Sequence, residues 1–207
     1  AGQGRLMTPN DTLVGAGFSD PVFQSQGAFR AVLAALSEPG LACDLDDAVV
    51  PPAGLEPATA VALLTLADYE TPIWLPAPLR DGPAGAWLRF HCGAALVDAP
   101  SRAAFAVIDG AAVEPKLSAF NAGDDQFPDR STTVLVQCAG LAGGDAVTLE
   151  GPGIARHRTI APAGLRLGFW AEVADNATLY PLGIDLLLIH RTQVLGLPRS
   201  TQIVEAR

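Results

Sequence analysis

The segment Ile184-Asp185-Leu186-Leu187-Leu188-Ile189-His190 is a nearly continuous apolar run. A strand with one wetted face alternates apolar and polar positions, whereas a nearly unbroken apolar run marks a strand covered on both faces. Thr132 to Cys138 is similar, and Ile73-Trp74-Leu75 reads as a short buried strand closed by Pro76 and Pro78. Further strand-like stretches are Trp87 to Cys92, Ala104 to Ile108, Ala146 to Leu149 and Arg156 to Ile160. Val194 to Val204 carries Pro198 and is expected to end at a sheet edge. Ala142-Gly143-Gly144-Asp145 suits a tight hairpin turn.

Helices bracket these strands. Asp20 is a good N-cap, and Pro21 fits the first helical position because its missing N–H would find no partner there. Val22, Phe29, Val32, Leu33 and Leu36 recur at helical spacing as one apolar stripe, and Pro39-Gly40 stops the helix. After a Pro-rich connection from Asp44 to Pro57, Thr59 to Leu66 is a second helical run that Asp68 to Pro72 breaks, and Leu165 to Ala174 a third. With 207 residues and 49% hydrophobic content, one domain is expected: α/β, with a mixed sheet flanked by helices. Met7 is the only methionine, so residues 1–6 read as an expression-vector remnant and 7–207 as the single domain.

The formal charge of −9 disfavours nucleic acid and anionic lipid as partners, although a local basic pocket for a small anion stays compatible with it. No leader is evident and no apolar run reaches ~18 residues, so a cytoplasmic protein that does not span a membrane is expected.

Several chemistries lack their residues. Cys43, Cys92 and Cys138 form no C-x-x-C pair, and no H-E-x-x-H is present; Asp44, Asp46 and Asp47 have no histidine beside them, so no metal centre is expected. Cys138 reads as a buried thiol, and Cys92, adjacent to His91 on a strand, would point away from it. His91 and His190 end apolar strands and read as structural. G-x-S-x-G is absent, and the single lysine, Lys116, supports neither a P-loop nor a Schiff base with pyridoxal phosphate.

What remains is arginine. Gly151-Pro152-Gly153 leads into Arg156-His157-Arg158, where two guanidiniums on one face of a strand would suit a phosphate, although Pro152 removes a backbone donor. The plainer reading is a tight turn entering a polar strand. Arg130 in Phe127-Pro128-Asp129-Arg130-Ser131 is a further candidate for an anion or a partner's carboxylate. Asp185 opens a hydrophobic strand and needs a partner there, for which Arg199 is a candidate. No catalytic residue is identified.

The chain also carries ordered motifs: the Gly17–Arg30 segment with Glu38-Pro39-Gly40, Asp68-x-Glu70-Thr71-Pro72-x-Trp74-Leu75, Trp87-Leu88-Arg89-Phe90-His91-x-Gly93 and Phe127–Ser131. Gly151–Ile154, Pro181-Leu182-Gly183-x-Asp185 and Leu197-Pro198-Arg199-x-Thr201 complete the set. Together they resemble the PhnH family, a subunit of the bacterial carbon–phosphorus lyase system. That resemblance implies a scaffolding or regulatory subunit working with the G, I and J subunits. Their shared step couples an alkyl phosphonate to the ribose of a nucleoside triphosphate, giving ribose 1-methylphosphonate 5-triphosphate. It also implies a fold like the large domain of pyridoxal-phosphate-dependent aminotransferases without the cofactor, and a homodimer in isolation, to which the apolar composition adds. The competing expectation is a self-sufficient enzyme or binding protein for a phosphate or phosphonate ester with an arginine pocket.

Overall fold

The computed structural model describes residues 15–45 and 49–206; residues 1–6, Met7, Asp46 and Asp47 lie outside them. The elements in order are α1 (Pro21–Ser37), β1 (Ala42–Asp44), α2 (Pro57–Leu66), β2 (Ile73–Trp74), α3 (Ala77–Arg80), α4 (Pro83–Cys92), β3 (Leu96–Val97) and β4 (Phe105–Asp109). They continue with β5 (Thr133–Gln137), β6 (Val147–Glu150), β7 (Arg158–Ile160), α5 (Phe169–Ala177), β8 (Asp185–His190), β9 (Gln193–Leu197) and β10 (Gln202–Ala206). The main sheet is mixed and seven-stranded, in the order β1-β9-β8-β5-β4-β2-β3, and a second sheet has the order β10-β6-β7. From β8 to β3 neighbouring strands are parallel, while β9 runs antiparallel to both β8 and β1.

Strand side chains alternate between faces, so each central strand feeds two cores. Val107, Leu135, Leu187 and Ile189 point to the side covered by α1, α2 and α4. Ala106, Ile108, Val134, Val136, Leu186 and Leu188 point to the other, where Val147, Leu149 and Ile160 of the small sheet and Phe169 and Val173 of α5 cover them. Both faces are therefore sealed, as the apolar runs required. On one side a small antiparallel sheet shares the cover with a helix. Helix α1 lies close over β9 because Gly196 has no side chain: a Cβ there would sit 2.5 Å from the Ala35 carbonyl oxygen.

The α1 cap forms as expected, with the Phe23 N–H donating to Asp20 Oδ1 (3.4 Å) and Gln24 Oε1 accepting from the Asp20 N–H (2.9 Å). Its apolar stripe, however, is split. Val32 is buried with Ala28 and Ala35 and Leu36 is half-buried, while Val22, Phe29 and Leu33 are exposed.

Several expected elements differ. Trp87 to Cys92 is helix, not strand: Pro83 starts α4, and Gly93, in the left-handed region at φ 66°, ends it. His91 consequently lies on a helix. The third helix begins four residues later than expected, at Phe169, because Gly168 at φ 81° precedes it, and it runs on through Ala177. Strand β7 begins at Arg158, so Arg156 lies outside it. Val194 to Val204 is two strands in different sheets, broken after Leu197. Ala142–Asp145 joins β5 to β6 across the two sheets and makes no hairpin.

Candidate functional site

Three of the sequence motifs meet at the amino-terminal ends of β5 and β8. Thr133 and Asp185 are paired there, and β9, antiparallel to β8, returns the chain so that Leu197 lies opposite Leu186. Arg199 is thereby delivered to Asp185. Its Nη2 donates to Asp185 Oδ2 at 2.5 Å, its Nε to Oδ1 at 3.2 Å and its backbone N–H to Oδ1 at 2.9 Å. Nη2 also donates to Ser131 Oγ, and Nη1 to the Pro128 carbonyl at 2.6 Å. The side chains are 15% and 22% exposed, so the pair is largely withdrawn from water. A guanidinium has five N–H groups, and these contacts leave Arg199 a single Nη1–H. It can no longer grip an anion through two parallel hydrogen bonds.

Arg130 lies one residue from Ser131 and is arranged differently. Its guanidinium carbon sits 3.8 Å from the centre of the Phe127 ring, the side chain is exposed, and among the described residues no carboxylate pairs with it. Its backbone is fixed instead, since Asn121 Nδ2 donates to the Arg130 carbonyl at 2.9 Å.

The Gly151-Pro152-Gly153 turn is wedged between two other segments. A Cβ on Gly151 would lie 2.9 Å from the Ser200 carbonyl oxygen, and one on Gly153 2.1 Å from that of Ser37. Arg158 turns toward the same helix end, and its Nη1 donates to the carbonyls of Glu38 (3.0 Å) and Pro39 (2.6 Å). Those carbonyls follow the last turn of α1, where a cation is favoured. Arg156 is exposed. The structure thus joins Arg199 to Asp185 and Arg158 to the end of α1, and leaves Arg130 and Arg156 facing solvent.

One ionic cluster had no sequence forewarning. Arg166, buried at 8% exposure, donates through Nη2 to Glu172 Oε2 (2.7 Å), through Nε to Oε1 (3.3 Å) and through Nη1 to the Ala112 carbonyl (3.1 Å). Lys116 Nζ lies 3.3 Å from Glu172 Oε1, and the Leu117 N–H donates to Oε2 at 2.8 Å. Burial alone would raise the Glu172 carboxyl, but the Arg166 and Leu117 hydrogen bonds and the two cations hold it below its ordinary value. The available signal was a glutamate in the first turn of a helix, which is common. A depression of about 510 Å³ beside the cluster is lined by Asp145, Leu165, Leu167 and Trp170 among others.

Nucleophile chemistry finds little support. Burial pushes the Cys92 thiol up to about 11 and Cys138 up to about 12, so both stay protonated at neutral pH. A His91 ring nitrogen, Nε2, lies 3.0 Å from the Gly15 carbonyl, and His190 Nδ1 lies 3.1 Å from that of Cys138. Among the described residues no three His, Cys, Asp or Glu side chains gather as a metal site. Nor is any described helix long and apolar enough to cross a membrane.

Comparison with known proteins gives a consistent result. Residues 16–204 match the family described as bacterial phosphonate metabolism protein (PhnH). The chain is 39% identical to the alpha-D-ribose 1-methylphosphonate 5-triphosphate synthase subunit PhnH of Rhizobium meliloti (strain 1021), over 95% of this chain and 98% of that protein. It is 30% identical to the putative C-P lyase subunit protein HtxG of Stutzerimonas stutzeri, over 87% and 86% of the two chains.

Proposed function

From the premise that this chain belongs to the PhnH family of bacterial phosphonate metabolism proteins, we propose that it is a carbon–phosphorus lyase subunit acting in the synthesis of ribose 1-methylphosphonate 5-triphosphate. The 39% identity to a subunit of that synthase, spread over nearly the whole of both chains, carries the reading. Its partners in this proposal are the G, I and J subunits, and its place is the cytoplasm. Alone it forms a homodimer and needs no cofactor. Residues 7–207 form its one domain.

The role within the assembly is scaffolding or regulatory. Two arginines that could have formed an anion pocket are engaged within the fold, Arg199 by Asp185 and Arg158 by the carbonyls after α1. Arg130 and Arg156 keep guanidiniums at the surface for a phosphorylated ligand or a partner's carboxylate. Likeness to the aminotransferase large domain is part of the same proposal; a mixed seven-stranded sheet between covering layers supports it. Lys116, drawn to Glu172, is poorly placed to serve as a Schiff-base lysine.

Reconstitution tests this directly. Nucleoside triphosphate and methylphosphonate are supplied to the G, I and J subunits with and without this chain, and to the chain alone. Product is expected only from the complete set. Turnover by the chain alone, or undiminished turnover in its absence, would overturn the proposal.

A further inference from the structure

The depression beside α5 contains a hydrogen-bond donor that the fold leaves partly unused. Arg166 lines it, with its side chain 3% exposed. A guanidinium has five N–H groups. Nε and Nη2 each give one to Glu172, and Nη1 gives one to the Ala112 carbonyl. Among the described residues no acceptor takes the last Nη1–H or the last Nη2–H. Buried donors without partners are costly, and an acceptor seated in the depression would meet them. The Arg166 backbone N–H donates to the Gly110 carbonyl at 2.7 Å, so the residue is anchored through main chain as well as side chain.

The remaining lining residues select the kind of acceptor. Asp145 is exposed on the same depression, and among the described residues no cation pairs with it. A simple anion suits this site badly, because Asp145 repels it and Glu172 already offsets the Arg166 charge. Leu165, Leu167 and Trp170 supply the apolar surface; Leu167 is fully exposed and Trp170 half-buried. The volume of about 510 Å³ is that of a small-molecule site, about 300–1,000 Å³. Unspent donors, an unspent carboxylate and an aromatic ring together complement a flat heterocycle that has acceptors and an amino group on its edges and a π face between. Adenine and guanine have that pattern, and bases stack on aromatic side chains.

We propose that this depression takes the purine base of a nucleoside. Its ring-nitrogen or carbonyl acceptors meet the spare Arg166 N–H groups, its amino group meets Asp145, and its face lies against Trp170. The source of the base rests on the functional reading above: a product carrying methylphosphonate on ribose C1 has exchanged its base for the phosphonate, so a base leaves in every turnover.

Titration calorimetry of the full chain with adenosine is the test, with inorganic phosphate and methylphosphonate as competitors. Saturable binding is expected, and neither competitor should displace it. Trp170→Ala should weaken binding about tenfold, the lower end of what stacking one base supplies. Leu167→Asp, at a fully exposed position, should weaken it without changing the melting temperature. Purine riboside, which has no amino group, should bind about tenfold more weakly than adenosine, and Asp145→Ala should remove that preference. Absence of binding by both adenosine and guanosine overturns the proposal, even if the reconstituted assembly turns over. Displacement by phosphate or methylphosphonate, or binding untouched by all three variants, overturns it as well. Failed reconstitution with adenosine binding intact overturns the functional reading and keeps the site.

Discussion

A buried carboxylate needs a partner, and at Asp185 the partner holds three segments together. Arg199 links the start of β8 to Ser131 and Pro128 ahead of β5. Removing one member of a largely buried pair leaves the other charge uncompensated, so Arg199→Ala is expected to lower stability by about 3 kcal/mol, read by urea unfolding. Arg199→Lys should recover part of it, since an ammonium keeps the charge but loses the planar fork. The need for a partner was legible from Asp185 opening an apolar run; Ser131 and Pro128 were not, because only strand pairing brings them there. Glu172 gives a pH test. Its folded value lies below the ordinary 4.5, so on acidification the unfolded chain takes up the proton first. The stabilisation is present above about pH 4.5 and is lost as pH falls through the lower folded value. Glu172→Gln should flatten the acid limb of a stability–pH curve.

Among the elements, legibility followed how local the determining signal was. Asp20, Pro21 and the Pro39-Gly40 stop marked α1, and the run from Ile184 marked β8, because a cap and an unbroken apolar stretch act within a few residues. Trp87 to Cys92 misled because a short run with Trp87 and Leu88 adjacent fits either period. Pro83 before it and Gly93 after it were the deciding signals. The outward turn of Phe29 and Leu33 was hidden for another reason: a helix's apolar residues do not say which of them meets the sheet. Small residues decided that, with Ala35 over Gly196. Gly196→Ala is accordingly expected to push α1 off β9 and to cost about 2 kcal/mol, measured by thermal or urea unfolding. Amide exchange in α1 should quicken with it.

For the whole molecule, the arginines divide between those engaged within the fold and those left at the surface. Arg158 closes the carbonyls after α1, whereas Arg156 precedes β7 at the surface. Arg158→Ala should therefore lower the melting temperature of the isolated chain, by an amount matching about 1–2 kcal/mol for its charged hydrogen bonds. Arg156→Ala should leave that temperature unchanged, so any effect on a reconstituted lyase assembly would be direct. The sheet order carries a consequence in time as well. Strands β5 and β8 lie side by side, yet β6, β7 and α5 all come between them in the chain, and β10 must return afterwards to complete the small sheet with β6. The central seam can zip only when that long excursion has been looped out, and such distant pairings are slow to find one another. During synthesis, the strands up to β5 emerge with one flank of the sheet still open, and its apolar edge waits for a neighbour the ribosome has yet to make.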